Sequence, residues 1–99
     1  MNASEIAPYV GFAQRKGAVL YGMERITEKR ARPLVVLVDA AAPEKFRAKM
    51  KAECTSAPCF EVEDLPLATH RDNVKAIAVT DVSLAAAIVN LMKIGRAHV

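Results

Sequence analysis

Tryptophan is absent from the 99-residue chain, and aromatic residues make up only 5% of it. Ala, Val, Leu and Ile must therefore supply most of any core. Glycine occurs four times, at Gly11, Gly17, Gly22 and Gly95. None follows a strand with dinucleotide-type spacing, which excludes a glycine-rich nucleotide loop. No apolar run approaches the roughly 20 residues that a membrane-spanning helix needs. Met1-Asn2-Ala3-Ser4-Glu5 lacks the basic stretch and following apolar segment of a secretory signal. The length holds one core and no second one. A single soluble, cytoplasmic domain over residues 1–99 is the expectation, with no membrane partner and residues 95–99 as a frayed tail.

Chemistry-bearing residues are equally scarce. Cys54 and Cys59 flank Thr55-Ser56-Ala57-Pro58, a spacing open to a disulfide or to half of a metal site. A metal site needs further ligands, and His70 and His98 stand at no zinc-like spacing from the pair. Without an export signal a reducing compartment is expected, and the thiols should stay free and packed. Glu61, Glu63 and Asp64 cluster at a strand end, where carboxylates are ordinarily solvated. Ser56 and Cys54 have no histidine at a motif-defined distance. The sequence offers no catalytic constellation, so neither an enzyme nor a cofactor or metal site is expected.

What is present is apolar content and an uneven charge. Hydrophobic residues form 53% of the chain, which excludes disorder. Residues 15–51 hold ten Lys/Arg against four Asp/Glu, whereas residues 52–74 hold five Asp/Glu against one Arg. A basic half suits an anionic partner, because cations that meet phosphates release condensed counterions. Lys45, Arg47, Lys49 and Lys51 read as the solvated face of one helix. Arg15, Lys16, Arg25, Lys29, Arg30 and Arg32 differ, since they flank glycines and a helix start.

Periodicity gives the elements. Ser4 is a candidate cap for a helix over residues 4–16, carried by Ile6, Tyr9, Val10 and Ala13 and closed by Gly17, with Pro8 near its first turn. Ala18–Tyr21 is β-prone, and Met23–Arg30 reads as a short second helix. Leu34–Val38 is apolar at every position, the pattern of a strand buried on both faces. Pro43 suits the first position of a helix reaching about residue 56. Cys59–Val62 alternates like a half-buried strand, Leu65–Thr69 is a short helix, and 70–73 is a polar loop. Ala76–Thr80 is the last strand. Asp81 or Ser83 then caps a helix that Gly95 ends. Alternating strands and helices predict an α/β/α sandwich.

The segment 15–25 carries the binding expectation. It places Arg15-Lys16 at a helix end, Gly17 at a turn, and Gly22 before the next helix. Free N–H groups there would suit phosphate, with Arg25 and Lys29 on the same edge. Glu24 could accept from a base amino group. The competing reading is a plain helix–strand–helix corner whose glycines supply only positive φ.

Val10-Gly11-Phe12-Ala13-Gln14-Arg15-Lys16-Gly17, Val19-Leu20-Tyr21-Gly22 and Pro33–Asp39 with its Ala-Pro turn resemble the kink-turn-binding ribosomal-protein superfamily of L-seven-Ae and L-thirty-e type. The likeness is nearest to its bacterial stand-alone branch. The Lys51–Cys54 helix end, Pro58 before a strand and Val74–Asp81 before the last helix also fit, covering about residues 5 to 92. The resemblance implies a three-layer α/β/α sandwich with a four-stranded mixed sheet, and non-catalytic binding of structured RNA, ribosomal or other non-coding. Carried over by position, it implies one contact surface at Lys16, Gly17, Gly22, Glu24, Arg25 and Lys29. A second lies at Arg71 and Asn73. The chain departs from the family's Asn-Glu pair at Glu24-Arg25, from its following lysine at Glu28, and from its basic residues at Leu20 and Tyr21. Those departures keep open a protein-interaction module of the same fold that has lost RNA binding.

Overall fold

The computed structural model describes residues 3–97, with the side chains of 94–97 outside that description. Five helices and four strands follow one another as α1 (Ala3–Arg15), β1 (Val19–Tyr21), α2 (Met23–Ile26), β2 (Val35–Asp39), α3 (Glu44–Glu53), β3 (Cys59–Val62), α4 (Leu65–Thr69), β4 (Ala76–Val79) and α5 (Val82–Ala97). The strands form one mixed sheet in the order β1-β4-β2-β3. β4 runs antiparallel to both β1 and β2, while β2 and β3 are parallel.

β2 explains the layering. Val35, Val36, Leu37 and Val38 are fully buried because successive side chains enter opposite layers. Val35 and Leu37 join Ile6, Val10, Leu65, Ile77 and Ile88 beneath α1, α4 and α5. Val36 and Val38 join Ile26, Met50, Cys54 and Ala78 beneath α2 and α3. Each buried Val, Leu, Ile or Met among them contributes about 1.5–3 kcal/mol relative to exposure. The expected sandwich is therefore the observed one. Edge strand β3 alternates half-buried Cys59 and Glu61 with buried Phe60 and Val62, as expected.

Several boundaries move. Leu34 precedes β2 and is 37% exposed, since it lies beyond the last rung with β4. Ser4 lies inside α1, after its first described residue Ala3, whose N–H donates to the Glu63 carbonyl at 2.9 Å. Pro8 sits within α1 on its solvent side and does not break it. α2 is a single turn, not the helix to Arg30 that periodicity suggested. Thr27 closes it, its N–H and hydroxyl both donating to the Met23 carbonyl, at 2.9 and 2.7 Å. α5 runs through Gly95 to Ala97, so Gly95 does not end it. His98 lies outside the described residues.

Candidate nucleic-acid interface

β1 decides where the expected site residues go. Gly17 stands before it and Gly22 after it, so the glycines mark opposite ends of one short strand. At about 3.3 Å per residue the five-residue span allows up to about 16 Å between them. The single basic edge around both glycines is thereby divided in two.

At the Gly17 end, the Thr80 N–H donates to the Ala18 carbonyl at 3.0 Å. Lys16 Nζ donates to Asp81 Oδ1 at 2.5 Å, and Asp81 Oδ2 accepts the Leu84 N–H at 2.9 Å, capping α5. The Lys16 ammonium, and after it the Leu84 amide, hold the Asp81 carboxyl below its ordinary value. Lys16 is thus already paired. Arg15 is exposed, with its guanidinium 4.8 Å from the centre of the Phe12 ring.

At the Gly22 end, the Gly22 N–H donates to the Ala76 carbonyl at 3.0 Å. Gly22 has φ 84 and ψ 158, a region open essentially to glycine alone. A Cβ there would meet no atom within 4 Å, so the backbone and not the available space demands glycine. Traced backward from Ala76, the chain passes Lys75 and Val74 to Asn73, which brings the loop before β4 against the start of α2. Arg71 lies with its guanidinium 4.1 Å from the Tyr21 ring centre. Tyr21 is held from behind by Gln14, whose Nε2 donates to the Tyr21 hydroxyl at 3.0 Å and to the Thr69 carbonyl at 2.8 Å. One side chain of α1 therefore ties β1 to the end of α4, where His70 turns the chain at φ 58 toward Arg71.

These contacts border a cleft of about 310 Å³ lined by Tyr21, Gly22, Phe46, Asn73 and Lys75, among others. A neighbouring cleft of about 400 Å³ shares Asn73, Val74 and Lys75 and adds Asp39, Pro43 and Asp72. The Lys75 ammonium stands 5.9 Å from the Phe46 ring centre. Both clefts open where β1, β2 and β3 end and β4 begins, the edge where α/β sheets commonly take ligands.

Glu24, Arg25 and Lys29 are all exposed, the first two on α2 and Lys29 beyond it. One turn sums few peptide dipoles, so a phosphate here would be held mainly by side chains and not by the helix start. The structure brings Gly22 and Asn73 into one cleft, with Arg71 over the adjoining Tyr21 ring and exposed Glu24 and Arg25 on the turn that follows Gly22, and leaves Arg15, Lys16 and Gly17 at the far end of β1. Sequence reasoning missed Lys75 and Phe46 as cleft residues. Lys75 was detectable as the one cation in the apolar run 74–79, whereas Phe46 had the spacing of a core residue.

The outer face of α3 also differs from a simply solvated one. Arg47 Nη1 and Lys51 Nζ pair with Glu61 Oε1 and Oε2, at 3.0 and 2.7 Å. Lys51 first, then Arg47, hold the Glu61 carboxyl below its ordinary value. Cys54 and Cys59 are free thiols, and burial pushes both upward in pKa. Among the described residues no group of three or more His, Cys, Asp or Glu is placed to hold a metal ion, and no helix is long and apolar enough to cross a membrane.

No protein-family model matches this chain, and no curated protein matches it. Among solved structures, it is similar to a protein with unknown function from Bacillus halodurans C, with a TM-score of 0.80 and 20% sequence identity. The likeness covers 89% of this chain and 96% of that one. At such identity what the two proteins share is the α/β sandwich.

Proposed function

We infer that this chain is a non-catalytic, cytoplasmic RNA-binding domain of the kink-turn-binding ribosomal-protein type, and that it grips structured RNA at the Gly22 end of β1. The Gly22–Ala76 hydrogen bond supports this most directly. It sets Gly22, from the first contact surface that the resemblance implies, beside Asn73, from the second, and both line one cleft. A glycine without Cβ allows close approach of a phosphate to the backbone, and Arg25 supplies charge beside it. Arg71, with its guanidinium over the Tyr21 ring, supplies a planar cation on which an unpaired base can stack.

The second reading, a protein-interaction module, draws on the acidic charge near the proposed site. Asp39 and Asp72 line the second cleft with Lys75, Glu24 is exposed on α2, and at the other end of β1 Lys16 is already paired with Asp81. A titration of a kinked-stem RNA hairpin followed by anisotropy across salt concentrations separates the two. Micromolar or tighter binding that weakens with salt supports the RNA reading. Undetectable binding at low salt overturns it in favour of the protein-interaction reading.

A further inference from the structure

The opposite end of the sheet carries a surface that the RNA reading does not use. Val79, the last residue of β4, pairs with Val19 of β1 and Val35 of β2. The chain entering β1, the chain entering β2 and the chain leaving β4 therefore meet there. The Leu34 N–H donates to the Val79 carbonyl, the Thr80 N–H to the Ala18 carbonyl, and Lys16 to Asp81.

Three of the four large hydrophobic residues exposed among the described residues belong to this end. Val82 is 73% exposed, Phe12 is 53% exposed one turn before Lys16, and Leu34 immediately precedes β2. Arginines accompany them. Arg15 lies on the Phe12 ring, and Arg30 and Arg32 are exposed in the segment leading to Leu34. None of the three arginines has an ion-pair partner among the described residues. The one acid within 12–18, 30–34 and 80–84 is Asp81, already occupied by Lys16 and the Leu84 amide.

We propose that this end of the sheet, formed by Phe12, Arg15, Arg32, Leu34 and Val82, docks an acidic, apolar segment of a protein partner. Isolated exposed hydrophobics are ordinary, but hydrophobics grouped at one end with unpaired arginines mark an interaction surface. Covering Phe12 and Val82 removes water from the arginines beside them, and a desolvated cation requires an anion. Aspartate and glutamate supply it, and their carboxylates fit the planar guanidinium fork in a two-bond arrangement. Phe and Arg are also the residue types enriched in protein interfaces. RNA would satisfy the arginines but would gain nothing from the aliphatic Leu34 and Val82.

The test is a selection of random displayed peptides on the wild-type protein. The result expected is enrichment of sequences that combine Leu, Phe or Met with Asp and Glu. The best peptide, titrated by anisotropy, should bind at least about tenfold more weakly to Arg32→Glu and to Phe12→Ser. Arg71→Ala should bind it like wild type, and all variants should keep the wild-type circular dichroism spectrum. Enrichment of basic peptides, no enrichment at all, or a selected peptide indifferent to both substitutions would overturn the proposal. So would co-sedimentation of the wild type with phosphatidylserine–phosphatidylcholine vesicles that Phe12→Ser abolishes, which would assign the surface to a membrane. Loss of RNA affinity in Arg32→Glu equal to that in Arg25→Ala would assign it to RNA. Because Arg71→Ala and Arg25→Ala probe the Gly22 end, the RNA reading and this one fail separately.

Discussion

Lys16 and Asp81 fasten the end of α1 to the start of α5 through one contact of 2.5 Å, and the same carboxylate caps α5 through the Leu84 N–H. Two functions therefore rest on Asp81, and one on Lys16. Asp81→Ala should lower the thermal midpoint by several degrees, through loss of both the cap and the pair. Lys16→Ala should lower it less, because an exposed ammonium contributes little by itself. Equal effects in a melting experiment would contradict the capping role.

The same carboxylate, with Glu61, fixes an acid-side dependence. Both have folded-state pKa values depressed by their lysine and arginine partners. Their contribution is complete above the unfolded-state values of about 4, and it disappears as pH falls through the lower folded-state values. Denaturant midpoints measured downward from pH 6 should hold until about pH 4 and then fall. The fall should be shallower in a variant carrying both Asp81→Asn and Glu61→Gln.

Gly22→Ala should destabilise the domain by about 1–3 kcal/mol, the range for a residue forced into a sparsely populated backbone region. No side-chain clash contributes, since the Cβ would enter open space. Gly17 has φ 68, a value that asparagine tolerates far better. Gly17→Asn should therefore cost clearly less than Gly22→Ala in urea unfolding.

If RNA is the ligand, Arg25→Ala and Arg71→Ala together should flatten the log-affinity against log-salt slope by about 1–2. Lys16→Ala should change the slope less than either, because its charge is already met by Asp81. A Lys16 effect as large as that of Arg25 would return the binding edge to the Gly17 end.

Val36→Asp should prevent folding. Val36 is fully buried on the α2–α3 side of the sheet, and an unpaired carboxylate there exceeds what a total stability of about 5–15 kcal/mol tolerates. A cooperative melt in this variant would contradict the burial.

Apolar patterning alone marked β2 as the centre of the sheet, because the run Val35–Val38 has no solvent face to spare, although Leu34 before it is exposed. It also ordered the elements, since the change from period two to helical period is written locally. Helix limits were less legible: α2 is cut short by Thr27 bonding back to Met23, and the first described residue of α1, Ala3, bonds to Glu63, sixty residues away in the chain. The division of the candidate site was not legible at all. Lys16 and Gly22 are neighbours in sequence, and Arg71 is far from both. Only the insertion of β4 between β1 and β2, antiparallel to each, carries Asp81 to Lys16 and Asn73–Ala76 to Gly22. Strand order and direction are set by how side chains from distant segments fill two layers at once, and no local pattern of residues encodes that choice.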